Sequence, residues 1–413
     1  MRTKTTNVSH KSEALVDKIL NKMDGLKEYR KLFFRSTLVL FLSMRGRHNF
    51  KGMERYGDYS EKTYRVHFED EFDFMGFNIE LCQSHLSSNL ILGFDPSYLP
   101  KSGKKTPHKG KFWSGCASRA IQGIEIGCIG VVDLDNNTAF NLESIQTPSP
   151  KDLKKDGQTL VDHYAEMLIA RADDLAKIST YLAVDGYFAK KKFVDAMVEH
   201  TDLELVCKLR KDANLMYLYD GPRKETQGRP RKYDGKVNTK KIDKNKFKRL
   251  IETEDEIVYE ALVWSVSLKR KIKVSYIEFL DEGKSTNRYV ILFSTDLELD
   301  GLTIYKYYKA RFQIEFLFRD AKQFTGLTHC QARSEDKLYF HTNLALTAVG
   351  VAKIAHYFNK EDSKKVYSIS NIKTLYFNEL MLNLFFSNFQ VDPNLQINNE
   401  AIEKMLNFGT IAA

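Results

Sequence analysis

Residues 180–211 read TYLAVDGYFAKKKFVDAMVEHTDLELVCKLRK. Thr180–Val184 is a short apolar run of strand character that empties into Asp185, and Lys191–His200 carries a helical pattern. Leu203–Leu209 is a second buried-strand run, ending at Arg210 and Lys211. A strand, a helix and a strand in this order predict a parallel pair joined by a crossover helix, which sets the class as α/β.

Working outward from this unit, Asn89–Phe94 is strand-like and runs into Asp95, followed by the loop PSYLPKSGKKTPHKGK. Ala120–Leu134 and Asn137–Ile145 are rich in Ile and Val and predict two further strands around a turn at Asp135–Asn136. Gly157–Ala176 predicts an amphipathic helix. The resulting order is three strands, a helix, a strand, a helix and a strand. It predicts a ribonuclease-H-like mixed sheet whose first three strands form an antiparallel meander.

Five segments follow. Residues 1–85 predict a helical N-terminal region, with Ser60 as the N-cap of the second of two short helices around Gly57–Ser60. Arg55, Lys62, Arg65 and His67 make that pair basic, which suits either a reader of DNA ends or a packing unit. Residues 86–211 form the first part of the core. Residues 212–305 open with a basic loop and continue as strands at Ile257–Ser267, Lys271–Phe279 and Arg288–Ser294, a β-rich insertion. Residues 306–360 return to the core with two helices, and 361–413 form a helical tail.

The chain has 413 residues with 63 Lys+Arg against 54 Asp+Glu, and its net charge of +9 leans toward a polyanionic partner. Scattered cysteines without a paired motif argue against a disulfide framework and a structural zinc site, and fit a reducing cytosol. The N-terminal MRTKTTNVSH is too polar for a secretory signal, and the most apolar early run, Leu38–Leu42, is too short to span a bilayer. A cytoplasmic, intracellular protein is expected.

Near the end of the core, Tyr308, Arg311, Glu315 and Lys322 follow one another at gaps of three, four and seven residues. On one helix these steps place a phenol, two cations and a carboxylate in a single stripe. Asp95 and Asp185 each follow a strand-like run, and strand ends of a mixed sheet gather at one crevice. With Glu315 leaning over it, three carboxylates would converge. Hard oxygen ligands with open positions favour Mg²⁺ or Mn²⁺, and two such ions suit phosphodiester displacement. Each acid also has a plain alternative: an Asp after a strand caps a turn, and a helical Glu among cations pairs at the surface. Asp133, Asp135 and Asp320 are competing carboxylates.

The pattern Y-x2-R-x3-E-x6-K, with FDPSYLPKSGKKT around Asp95 and YLAVDGYFAKKKF around Asp185, resembles bacterial insertion-sequence transposases of the insertion-sequence-four family. The likeness spans about Asn89 to Tyr357. It implies that Asp95, Asp185 and Glu315 form a metal triad, and that Tyr308, Arg311 and Lys322 grip phosphates beside the cut. It also implies terminal inverted repeats and target DNA as double-stranded DNA partners, a homodimer on paired ends, and strand cleavage followed by strand transfer. A nuclease of the same fold without joining, and a DNA-binding relic without cleavage, are the alternatives. Arg210, Lys211 and Lys208 after the second aspartate strand, and the basic residues of Arg223–Lys241, are candidate backbone contacts. Trp264 is a candidate for holding a flipped base, while Trp113 is expected to pack.

Overall fold

The computed structural model describes residues 8–222, 231–281, 284–358, 367–389 and 399–411, with positions 392 and 395. Five helices come first: α1 (His10–Leu20), α2 (Glu28–Ser43), α3 (Phe50–Tyr56), α4 (Glu61–His67) and α5 (Phe74–His85). The core then runs β1 (Leu90–Pro100), β2 (Gly110–Ser114), β3 (Arg119–Asp133), β4 (Thr138–Gln146), α6 (Pro150–Lys155), α7 (Leu160–Ile169), α8 (Ala172–Ala176), β5 (Tyr181–Val184), α9 (Lys191–His200) and β6 (Glu204–Leu209). Next come β7 (Leu215–Leu218), β8 (Tyr233–Lys236), β9 (Lys248–Glu252), β10 (Glu256–Ser265), β11 (Arg270–Asp281) and β12 (Lys284–Ser294). The chain closes with α10 (Gly301–Ala310), α11 (Gln313–Phe324), α12 (Glu335–Tyr357), α13 (Ile369–Phe389) and α14 (Asn399–Leu406).

The described strands form one mixed sheet in the order β2-β3-β1-β5-β6-β12-β11-β10-β7-β8, with β4 on β3 and β9 on β10. The meander β1-β3-β4 is antiparallel, and β1, β5 and β6 are parallel, so the ribonuclease-H-like arrangement is present. Strand β3 is long enough to pair β2 with its first residues and β4 with the rest. Strand β2 begins in the last two residues of the Lys-rich stretch expected to be loop, and β1 runs into its first five, because both pair with β3. The helix expected over Gly157–Ala176 is two, α7 and α8, parted at Ala170–Arg171.

Strands β7–β12 continue the same sheet, because β12 pairs antiparallel with β6. They also fix the start of α10. The Gly301 amide donates to Glu260 of β10 at 3.0 Å, and the Tyr305 hydroxyl donates to Glu256 at 2.6 Å. Asp300 caps the helix by accepting from the amides of Leu302 and Thr303.

One apolar cluster extends from Leu15 to Tyr376 and includes the N-terminal helices, the sheet and α12. Phe33, Phe34, Phe68 and Phe74 surround Phe340 of α12. Ser60 caps α4 through the Thr63 amide. Helix α12 is pinned to β4 by Asn343, which accepts from the Ser144 amide at 2.7 Å and donates to its carbonyl at 2.8 Å.

Candidate active site

Strand β1 presents alternate residues to opposite faces. Phe94 packs among Tyr164 of α7 and Phe188. Gly93, Asp95 and Ser97 share the other face, where α11 lies. The space a Cβ on Gly93 would take is filled by Ile314 Cδ1, at 2.4 Å from that position. Glycine there lets α11 lie close to the sheet.

Asp95 lies inside β1, not at its end as the sequence suggests. Strand β1 continues to Pro100 because β3 pairs with it throughout, whereas β5 stops at Val184 opposite Phe94. From Asp95 onward β1 is therefore open on the β5 side, which is where a strand tolerates Pro96. Asp185 follows directly on Val184, so the register brings the two aspartates level on neighbouring strands.

The stripe residues do not share one helix. Helices α10 and α11 are separated at Arg311 and Phe312, where the bonds tighten to the 3₁₀ type: the amides of Phe312, Ile314 and Glu315 donate to the carbonyls of Lys309, Arg311 and Phe312. Both joint residues keep helical dihedrals, so the chain continues onward without reversing. The four side chains still meet the same surface. The Tyr308 hydroxyl donates to Asp185 Oδ1 at 3.4 Å, and Lys322 Nζ donates to Ser97 Oγ at 2.9 Å. Arg311 lies between two acids, 3.1 Å from Asp95 and 3.6 Å from Glu315.

The electrostatics follow from that crowding. Burial pushes the Asp95 carboxyl up to about 7; Arg311 opposes the rise, and Glu315 and Asp185 add to it. Burial likewise raises the Tyr308 phenol and lowers the Lys322 ammonium. Arg311 is only 8% exposed, and its Nε has no hydrogen-bond partner. Its overall shift is upward even so, because burial is outweighed by Asp95, Tyr308, Asp185 and Glu315.

The competing carboxylates have structural work. Asp133 accepts from Ser87 and Asn136 and closes the β3–β4 turn, and Asp135 accepts from Asn89. Asp320 is buried beside Arg319. Arg210 and Lys211 follow β6, next to the strand that ends at Asp185, but neither touches the acids. Arg210 is exposed and paired with Asp212, and Lys211 lies over the Tyr289 ring. Arg223, Lys224, Gly228 and Arg229 of the basic loop lie outside the described residues. Trp264 is half-buried on β10 with its ring 5.7 Å from that of Tyr233. Trp113 is 63% exposed on β2, which corrects the expectation that it packs.

Two groups were missed by sequence reasoning. Ser97, the seat for Lys322, shares the face of Asp95 by period-two alternation, but it falls in the stretch read as loop because only pairing with β3 extends β1 past Asp95. Glu125 of β3, buried and accepting from the Tyr164 hydroxyl, adds a further negative charge near Asp95. No sequence signal separates it from its apolar neighbours.

Residues 105–349, more than half of the chain, match the sequence model of the family described as Transposase DDE domain. The chain belongs to this family. Asp185 and Glu315 lie within the matched stretch, and Asp95 just ahead of it. No curated protein matches the chain. No helix among the described residues is long and apolar enough to cross a membrane.

DDE transposases generally use divalent metal ions. Among the described residues no three acidic, His or Cys side chains are grouped so as to hold one ion as they stand. The donor chemistry nevertheless fits: three carboxylates from separate elements lie around Arg311, and two of them raise the proton affinity of the third. Hard oxygen donors of this kind suit a hard divalent cation.

Proposed function

We propose that this chain is an insertion-sequence transposase of the insertion-sequence-four type, with Tyr308, Arg311, Glu315 and Lys322 as its signature. It binds the terminal inverted repeats of its element and catalyses strand cleavage and strand transfer. One observation carries this reading: Asp95 of β1 and Glu315 of α11 pair with Arg311, and Asp185 at the end of β5 accepts from Tyr308 beside them, where β1 loses its parallel neighbour. Asp95, Asp185 and Glu315 would hold Mg²⁺ or Mn²⁺, two ions in all. When bound, such ions activate an attacking oxygen and stabilise the leaving oxygen of a phosphodiester.

The chain's own groups do the positioning. Arg311 offers a planar fork of donors to phosphate oxygens, and Lys322 a point charge held in place by Ser97. The Tyr308 hydroxyl supplies one directional donor beside Asp185. Each step is an in-line phosphoryl displacement, so one site serves water and a 3′-OH as nucleophiles in turn. Residues 86–211 and 306–360 form the catalytic domain, 212–305 an insertion, 1–85 a DNA-end-binding region and 361–413 a tail. Two copies hold paired ends, and the protein acts on the bacterial nucleoid in the cytoplasm.

The test is a Mg²⁺-dependent cleavage and joining assay on DNA carrying the element's own flanking inverted repeats, with Asp185→Asn beside the wild type. Cut and joined products, lost in the variant, are the expected result. Cutting without joining would make the protein a nuclease, and binding without cutting would make it a DNA-binding relic.

A further inference from the structure

Past the acids, β1 leads into a second and differently charged place. A cleft of about 1190 Å³ opens where the end of β1, the α2–α3 connection, α4 and the segment between α11 and α12 meet. Its cations come from three separate parts of the chain: Arg47 and Arg65, Lys101, Lys104 and Lys105, and Arg333 and Lys337. No acid lines it. Arg65 and Lys337 are neutralised by Glu61 and Glu69. Arg47, Lys104, Lys105 and Arg333 are exposed and have no carboxylate partner among the described residues.

The walls are held together by hydrogen bonds. Lys101 donates to the Cys330 carbonyl at 2.5 Å, Asn49 donates to Gln331 at 3.2 Å, and the His48 and His329 rings meet at 3.3 Å. The bonds of Asn49 and His48 join the N-terminal helices to the segment between α11 and α12, and Lys101 ties the end of β1 to the same segment. Like charges gathered on a fixed frame repel one another unless an anion lies among them.

We propose that this cleft is a binding site for the phosphate backbone of duplex DNA, and that it seats the DNA entering the catalytic face. The inference rests on the reading of that face as a DNA-cutting site. Continuity is what favours DNA over a small anion. An extended strand from Asp95 to Pro100 covers roughly 16 Å, about five base pairs of duplex, and Lys322 on Ser97 stands between. Cations therefore follow a line from the acids to the cleft, which a long polyanion can occupy and a small one cannot. The proposal also gives the N-terminal helices a specific part, since Arg47 and Arg65 are their contribution.

The experiment measures the affinity of the full chain for a fluorescein-labelled 40-base-pair duplex in EDTA, from about 50 to 300 mM salt. The wild type is compared with Arg47→Ala/Lys104→Ala/Lys105→Ala/Arg333→Ala and with the charge-retaining Arg47→Lys/Lys104→Arg/Lys105→Arg/Arg333→Lys. Each phosphate contact contributes about 0.9 to the slope of log K against log salt, so the alanine variant is expected to lose about 3 to 4 from it. Affinity should fall more than ten-fold at low salt, and the charge-retaining variant should keep the wild-type slope. If the alanine variant misfolds, each single alanine variant should lower the slope by about 1. An unchanged slope overturns the proposal. A melting temperature raised by inorganic tripolyphosphate only in the wild type, with the duplex slope unchanged, overturns it in favour of a small-anion site. Mg²⁺-dependent cleavage of DNA carrying the element's own flanking inverted repeats separates the two readings. A slope loss without cleavage keeps the cleft and removes the catalytic reading; cleavage without a slope loss does the reverse.

Discussion

Buried cations occur in two settings in this molecule, and they differ in what they face. At the junction of α2 and α13, Lys373 donates to the carbonyls of Phe41 at 3.0 Å and Met44 at 2.8 Å. Under α12, Lys353 donates to the Ala139 carbonyl at 3.0 Å. Burial pushes these amines down to about 7 and about 8. Their carbonyl partners are neutral and fixed in the backbone, and Lys373 also lies 3.4 Å from His48 Nε2, so each makes a closed joint. Arg311 faces carboxylates, with one nitrogen unpartnered and two further acids raising the proton affinity of Asp95. A carboxylate can exchange one cation for another, and a backbone carbonyl held at a helix end or in a strand is a poor ligand for such exchange. The same cost of burying charge therefore yields a structural pin in one place and an incompletely paired acid cluster in the other.

The largest effect expected on this contrast is chemical. Glu315→Gln keeps the shape of a half-exposed side chain and removes one of the three acids, so cleavage should fall by roughly 10³-fold or more. The melting temperature in EDTA should stay within a few degrees of the wild type. Unchanged cleavage would take Glu315 out of the site. Next comes Arg311→Met. Without the guanidinium, Asp95 is a buried charge beside two others, and the loss in stability at pH 8 should be about 3–5 kcal/mol by urea unfolding in EDTA. Asp95 holds its proton up to about pH 7 in the folded chain. At pH 5 the acid is neutral and no longer needs its partner, so the loss should be smaller there. An equal loss at both pH values would show that Arg311 supports packing and not charge.

The sequence carried the strand order because Ile- and Val-rich runs and the crossover helix depend on local pattern. It carried the grouping of Tyr308, Arg311, Glu315 and Lys322 through spacing, since four side chains at helical steps meet one surface even across a tightened turn. Three features were out of reach for tertiary reasons. Asp95 reads as a strand end because Pro96 follows it, but the partner strand β3 extends β1 and the real end belongs to β5. The break at Arg311–Phe312 carries no Gly or Pro to announce it. The cleft joins Arg47, Lys104 and Arg333 from three distant parts of the chain, and only Lys104 falls in a motif already singled out.

A milder way to disturb the catalytic face leaves its charges intact. Gly93→Ala sets a methyl against Ile314, whose Cδ1 already lies at 2.4 Å from the position it would take. Isoleucine must change rotamer or α11 must lift, at a cost of about 1–3 kcal/mol. Lifting α11 separates Glu315 and Arg311 from Asp95, so cleavage should fall together with stability. If Gly93→Ala/Ile314→Val restored both, packing at this one contact would set the spacing of the acids. Restored stability with cleavage still impaired would point to Gly93 itself.

The last effect, read as a slope against pH, tests the closed joint. In the folded chain Lys373 loses its proton near pH 7, while in the unfolded chain it keeps it to about 10.4. Between these values the unfolded state binds the additional proton, so raising the pH favours the folded state. The gain is at most about 1.4 kcal/mol per pH unit. Lys373→Met removes this titration and leaves the carbonyls of Phe41 and Met44 without their donor. The variant should therefore lie closest to the wild type near pH 7 and fall behind it as the pH rises toward 9.5, measured by urea unfolding across that range. A gap that stayed constant would mean the amine remains charged in the folded protein, held by its carbonyls more strongly than burial opposes it. Lys373 and Arg311 would then differ only in their partners, and not in how burial acts on them.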